Sequence, residues 1–535
     1  MNTTCTLLSG LLLASLASVL MAAPKDFGEG LANGSPPRLL TNAQNQLSHW
    51  TGIGRIRNEA NTLCTASLLD TRDEMGLSGP AYVVTSSHCL HRQSGVVQKD
   101  VPIEGSISFN YFDDTLETLK TYSLKTLKWA SSQSVDLAII ELDASLSDLL
   151  KEGITPLRLA EEVPPAGNNI LALAAPEWET LHLSACTQQH SQELIEQPFV
   201  WRVTMKNQCK GIMLGAFGGP LLDRASNTLF GVLSTTTSGQ TQERKCQRDA
   251  PCEVNQGIPT WHANTNYGSP ITFLNTCFVK GVLTADAEHC DLYPSTSITF
   301  QNPEPIQQYF IKKPGAKNKD IVPRWDLSFT INTPFYRYKT TRRARECENP
   351  ASYSVPYEAA HAHINDAIPP QTGMHMLCIL GVDSAQQPAT NGMMTNALSL
   401  AVELAEPGPA RTPDVHIALD KDVIGTYSVT WKLASPFMSR YTYKYGPAAQ
   451  IDCLRPVDYK VIPPTPSAPP PPPIEEDEAE PINLFHSPQE ETPIRSGDNY
   501  IHLITTRNNP IKICTYAFDQ ANQPSTLRVD LLKPR

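Results

Sequence analysis

The sequence predicts an all-β protein built from several domains. Prolines number 45 against 29 glycines and only 18% of residues are charged, a balance that favours turns and strands over long helices. Towards the C-terminus, alternating runs of Val, Thr, Tyr and Phe lie between Pro- and Gly-rich turns, the pattern of short strands. A chain of 535 residues is too long for one core, and at about 100–200 residues per domain it divides into roughly three to four.

The hydrophobic content of 40% is that of a globular protein. A net charge of −11 argues against a nucleic-acid partner, because phosphate binding needs clustered Lys and Arg. Residues 1–23 carry no charged side chain, and the apolar run from Leu7 ends in Met21-Ala22-Ala23. That length suits a signal peptide better than a membrane span. The expectation is a secreted, periplasmic or envelope protein with no integral membrane domain once the signal is removed.

Cysteine usage gives an independent reading of compartment. Of 13 cysteines, Cys5 leaves with the signal, and the rest form an even set: Cys64, Cys89, Cys186, Cys209, Cys246, Cys252, Cys277, Cys290, Cys347, Cys378, Cys453 and Cys514. They are dispersed, without the paired C-x-x-C knuckles of a zinc site, so disulfides are expected and neither metal nor cofactor is. Connectivity is not fixed by sequence, although pairing neighbours in chain order closes short loops.

Three segments carry the chemistry. Cys64-Thr65-Ala66-Ser67-Leu68-Leu69 and Ala81-Tyr82-Val83-Val84-Thr85-Ser86-Ser87-His88-Cys89 read as two strands, the second ending in a histidine beside a cysteine that can bridge back to Cys64. Ser134-Val135-Asp136-Leu137-Ala138-Ile139-Ile140 sets an aspartate at the mouth of an apolar strand, where a carboxylate can accept an imidazole N–H and fix its tautomer. Gly215-Ala216-Phe217-Gly218-Gly219-Pro220 is followed by the strand Leu229-Phe230-Gly231-Val232-Leu233-Ser234.

Together these resemble the histidine, aspartate and serine segments of trypsin-like (chymotrypsin-fold, S1) serine proteases of the bacterial secreted type. The resemblance covers residues 45–280 and implies a double β-barrel. It places Phe217 where the family has its nucleophilic serine, and Ala216 where many relatives have an activating aspartate. A benzyl group offers no lone pair for acyl transfer, and loss of the nucleophile costs about 10⁶ in rate in such triads. The resemblance further implies substrate contacts at Gly215 and Ser234 and an oxyanion pocket from the N–H groups of Gly215 and Phe217; it does not define the specificity pocket, because the segment from Cys209 to Gly215 departs from the family's length, and Lys210 and Gly211, near its expected base, bring no acidic residue. It also implies the bridges Cys64–Cys89 and Cys186–Cys209, with Cys246–Cys252 and Cys277–Cys290 closing surface loops. Gly76-Leu77-Ser78-Gly79-Pro80 imitates a nucleophile elbow but reads as the turn between the two strands that the Cys64 bridge staples.

Past residue 300 the chain repeats itself. Ser328-Phe329-Thr330 parallels Ser428-Val429-Thr430, each copy continues to a cysteine (Cys347, Cys453), and each ends on C-x₄-D-x-A-x-Q-P from Cys378 or Cys514. The expectation is two tandem β-sandwich, immunoglobulin-like modules, 320–408 and 409–535, each with one disulfide, the second interrupted by a Pro-rich and acidic insertion at 463–481. Three function classes follow: a non-catalytic protease homologue that binds a protein or peptide, possible ligands including another protease; an active serine endopeptidase with a non-standard nucleophile; or a structural or adhesive envelope protein.

Overall fold

The computed structural model describes the chain from residue 25 onward, except for short gaps before residue 300 and longer ones including 302–307, 315–319, 389–396, 406–411 and 463–493. The signal-peptide and insertion readings fall outside the described residues. The fold is all-β; among the described residues the one α-helix is Leu146–Lys151, capped by Ser145, whose Oγ accepts from the Asp148 N–H.

The first barrel closes on six antiparallel strands: Ile53–Asn58, Leu63–Leu68, Pro80–Thr85, Gly105–Phe109, Lys120–Ser131 and Leu137–Ser145. Closure falls to Lys120–Ser131, which pairs with Gly105–Phe109, Leu137–Ser145 and the flanking strand Gln98–Pro102. Two register shifts against Leu137–Ser145 mark the irregularities that let so long a strand bend round the barrel. The strand Leu137–Ser145 is buried on both faces near its start. Ala138, Ile140 and Leu142 fill the barrel interior, while Leu137 and Ile139 join a second cluster shared with the neighbouring sheet. Side chains alternating across a strand make both packings possible at once.

A second, seven-stranded sheet runs Arg38–Leu39, His182–Thr187, Asn169–Ala174, Pro220–Asp223, Leu229–Thr236, Asn266–Pro270 and Met205–Asn207 in spatial order. It encloses its own core around Ile170, Ala172, Leu221, Phe230 and Leu233. Attached to it is a four-stranded sheet of Phe199–Trp201, Glu193–Glu196, Cys252–Asn255 and Ile258–Thr260. The packed unit reaches beyond 45–280 at both ends. Arg38–Leu39 pairs with His182 and Leu183, and Cys290 and Leu292 belong to the shared core.

Six disulfides join the cysteines in chain order, Cys64–Cys89, Cys186–Cys209, Cys246–Cys252, Cys277–Cys290, Cys347–Cys378 and Cys453–Cys514. Among the described residues no helix is long and apolar enough to cross a membrane.

Both C-terminal units carry the same internal device. Lys339 lies opposite Cys378 across a strand pair, gives its ammonium to the carbonyls of Asn349 and Ala351, and sits 4.5 Å from the Tyr353 ring, whose hydroxyl donates to Cys347 O. Lys444 lies opposite Cys514, donates to the carbonyls of Arg455 and Val457, and sits 4.6 Å from Tyr459, whose hydroxyl donates to Cys453 O. Each loop is thus held by a disulfide, a lysine and a tyrosine. In the second unit, two four-stranded sheets share one core around Trp431, Tyr441 and Tyr443. The first unit begins earlier than 320, since Ile298–Phe300 pairs with Leu327–Ile331.

The first unit is welded to the barrels. Arg202, fully buried, donates to Glu348, to the Ala397 carbonyl and to Ser399. Glu193 accepts from the N–H groups of Ala344 and Arg345, and Ile195, Val200 and Val254 pack on Met374, Met376 and Ala401.

Candidate functional site

Where the first barrel meets the second sheet, the strand Pro80–Thr85 ends in the one-turn 3₁₀ segment Ser87–Cys89. Asp136 precedes the strand Leu137–Ser145, which pairs with Pro80–Thr85, so this strand pair brings aspartate and histidine together. His88 Nδ1 stands 2.7 Å from Asp136 Oδ2, and the His88 backbone N–H donates to Asp136 Oδ1 at 3.0 Å. Asp136 is fully buried, and its own N–H donates to Ser269 Oγ at 2.9 Å. The carboxylate therefore orients the imidazole and also fixes the turn that carries it. Ser234 lies beneath, its Oγ 3.1 Å from that of Ser269.

Phe217 faces this pair from the loop that opens the strand Pro220–Asp223. Its ring meets that of His88 edge-on, with centroids 5.2 Å apart and planes at 69°. The side chain packs against the cores of both the first barrel and the second sheet, because the loop sits at their junction. The backbone around it is tightly set: Phe217 O accepts from Thr65 N, Gly218 N donates to Leu233 O, and Gly219 N donates to Ala216 O. Gly218 has φ +79°, and a Cβ there would lie 2.0 Å from Thr85 Oγ1. Only glycine fits.

Gly215 carries φ +86°, and its carbonyl accepts from the Thr65 hydroxyl at 2.9 Å. Among the described residues, neither its N–H nor that of Phe217 donates a hydrogen bond. Gly215 itself does not line the cavity beside His88, whereas Leu214, Phe217 and Ser234 do. Lys210 and Gly211 do not line it either. Gly211 packs under the Pro37 ring and Lys210 gives its N–H to Ser184 Oγ, so the N-terminal segment covers that face. The cavity, about 110 Å³, instead opens against the four-stranded sheet, between His88, Phe217, Phe199, Trp201 and Glu196.

Sequence reading missed Glu196. Burial pushes its carboxyl up to about 7; the Asp249 charge adds to this, while Thr235, the Asp249 N–H and His88 oppose it. The elbow-like Gly76–Pro80 segment runs from a turn closed by Asp73 and Gly76 into the strand that begins at Pro80. Asp73 Oδ1 accepts from the N–H groups of Met75 and Leu77, and Gly79 is tucked against the Gly281 carbonyl. Cys64, His88 and Cys89 bring three potential metal ligands within reach of one another, yet both sulfurs are consumed by the disulfide.

No family profile matches the chain, and no curated protein matches it either. Solved structures do. The active form of the Rv3671c protease from M. tuberculosis matches at 13% identity over 46% of this chain and 89% of its own, with a TM-score of 0.28. The protease Anisep from Arthrobacter nicotinovorans matches at 15% identity over 44% of this chain and 97% of its own, with a TM-score of 0.29. Deg5 matches at 17% identity over 35% of this chain and 81% of its own, with a TM-score of 0.25. Each of these likenesses covers less than half of this chain.

Proposed function

We propose that this chain is an exported, non-catalytic homologue of trypsin-like proteases that binds a protein or peptide, another protease being one such partner, in the cleft between its barrels. The observation that carries this reading is the ring of Phe217 edge-on to the His88–Asp136 pair. A hydroxyl there would complete a Ser-His-Asp arrangement; the ring supplies nothing that His88 can deprotonate. The N–H of Phe217, which lines the cleft and donates no hydrogen bond among the described residues, supports ligand carbonyl binding without bond cleavage. The C-terminal units, with facing sheets around one core, fit the sandwich reading and add surface for a partner. Incubation of the purified protein with a fluorophosphonate probe and a peptide library tests the proposal. Neither labelling nor cleavage is expected above background; cleavage abolished by His88→Ala would overturn it.

A further inference from the structure

The strand Glu193–Glu196 is a wall with two different faces. Glu193 and Ile195 point into the first C-terminal unit, whereas Leu194 packs on Phe199, Trp201 and Tyr267, and Glu196 lines the cavity beside His88. Alternation along the strand therefore drives a carboxylate into the cleft as a consequence of docking the unit behind it. Glu196 Oε1 accepts from the Asp249 N–H at 2.9 Å. Its Oε2 is buried and makes no hydrogen bond of normal geometry among the described residues, although the Thr235 hydroxyl faces the carboxylate and favours its charged form. Arg248 stands exposed at the cavity rim, but among the described residues it makes no ion pair with Glu196. A buried carboxylate oxygen without a hydrogen bond of normal geometry is costly, and a ligand that supplied a donor would relieve it.

Size and walls narrow the ligand. At about 110 Å³ the cavity is well below the roughly 300–1,000 Å³ of ordinary small-molecule sites, so it takes one side chain and not an extended ligand. Phe199 and Trp201 line it with stacked rings, centroids 6.0 Å apart and planes at 4°. An aromatic wall with a carboxylate at its end attracts a cation on an alkyl stem more than it does a neutral donor. We infer that this cavity is a subsite for a primary ammonium group carried on a peptide side chain, with Glu196 as its counter-ion. The inference rests on the reading of the cleft as a peptide-binding site.

The charged groups facing Glu196 set its pH dependence: Asp249 on the neighbouring loop, Arg248 at the rim and His88 across the cleft. With the carboxyl held near 7, an incoming ammonium displaces a proton, and binding strengthens from pH 6 to pH 8, where an alkylammonium stays charged.

Ligand-observed saturation-transfer NMR on the full chain, with n-butylammonium and n-butanol as probes, tests the subsite directly. The expected result is binding of the amine about tenfold or more tighter than the alcohol at pH 8, weaker at pH 6, and reduced to the level of the alcohol in Glu196→Gln. Trp201→Leu, which removes one aromatic wall and leaves the carboxylate, should weaken the amine severalfold and keeps the test informative should Glu196→Gln misfold. Equal binding of amine and alcohol, or an amine signal untouched by Glu196→Gln, overturns the subsite. A parallel titration with acetylated hexapeptides carrying lysine at each position in turn separates the two readings. Peptide binding without amine binding leaves the cleft reading standing and the subsite refuted; amine binding without peptide binding overturns the cleft reading and, with it, the peptide as the carrier of the ammonium.

Discussion

On one side of the cleft, Asp136 accepts both the backbone N–H and the Nδ1 side of His88 while Ser269 takes the Asp136 N–H, and the histidine turn is stapled by Cys64–Cys89. On the other, the loop from Met213 to Gly219 supplies no polar side chain at all. The difference separates orientation from chemistry. Asp136 has structural work that does not depend on catalysis, since without it the turn at His88 loses a backbone partner in a buried place. A histidine–aspartate pair in this fold is therefore weak evidence for turnover, and the residue facing it decides.

The staple offers the largest lever on that comparison. Replacing Cys64 and Cys89 together by Ser opens a loop of sequence separation 25, for which chain entropy gives about 3.5 kcal/mol of lost stability. Denaturant melts read it directly. A loss below about 1 kcal/mol would mean that the histidine side is held by its hydrogen bonds alone.

The cavity wall is next. Glu196 has its folded pKa raised from 4.5 to about 7, so the folded state binds the extra proton between those values. The stability it contributes is whole below about 4.5 and falls as pH rises through 7, by up to about 3 kcal/mol. Acidic groups with lowered values, such as Asp26 and Asp114, act at lower pH and in the opposite sense. Comparing wild type with Glu196→Gln between pH 5 and pH 8 isolates the effect: the wild type should lose stability relative to the variant. Parallel curves would show that the carboxylate finds a counter-ion or water. Asp136→Asn follows, at about 2 kcal/mol, because an amide keeps the shape but turns a donor toward one of the two N–H groups it must accept. Thermal melts check it, and an unchanged melting temperature would contradict the structural role given to Asp136.

What the sequence discloses tracks how local the signal is. His88, Cys89 and Cys64 sit on contiguous strand patterns, and Asp136 announces a buried strand by the apolar run that follows it. The C-terminal duplication is readable from its cysteines, although the lysine–tyrosine lock around Lys339 and Lys444 emerges only when the register sets each lysine opposite a cysteine. Glu196 carries no signal in its own segment. Its placement depends on which face of a four-residue strand meets a unit more than a hundred residues downstream, and no local pattern contains that. The same holds for Pro37, whose ring covers Gly211.

The sharpest use of the comparison is to give the empty side a hydroxyl. Phe217→Ser supplies the missing side-chain type opposite a dyad that is already oriented, and the glycines at 215, 218 and 219 keep a backbone that the change does not touch. The ring is only half-buried between the two cores, so its loss should cost about 1 to 2 kcal/mol and leave the protein folded. Reactivity is a stricter demand. The small serine leaves space where the ring stood against His88, so the hydroxyl has no packing to hold it at hydrogen-bond distance, and Ala216 beside it offers no carboxylate to anchor the loop. Slow, substoichiometric labelling of Phe217→Ser by a fluorophosphonate is the expected outcome, lost again when His88→Ala is added. Rapid stoichiometric labelling would show that the loop already holds a competent geometry for a hydroxyl at position 217.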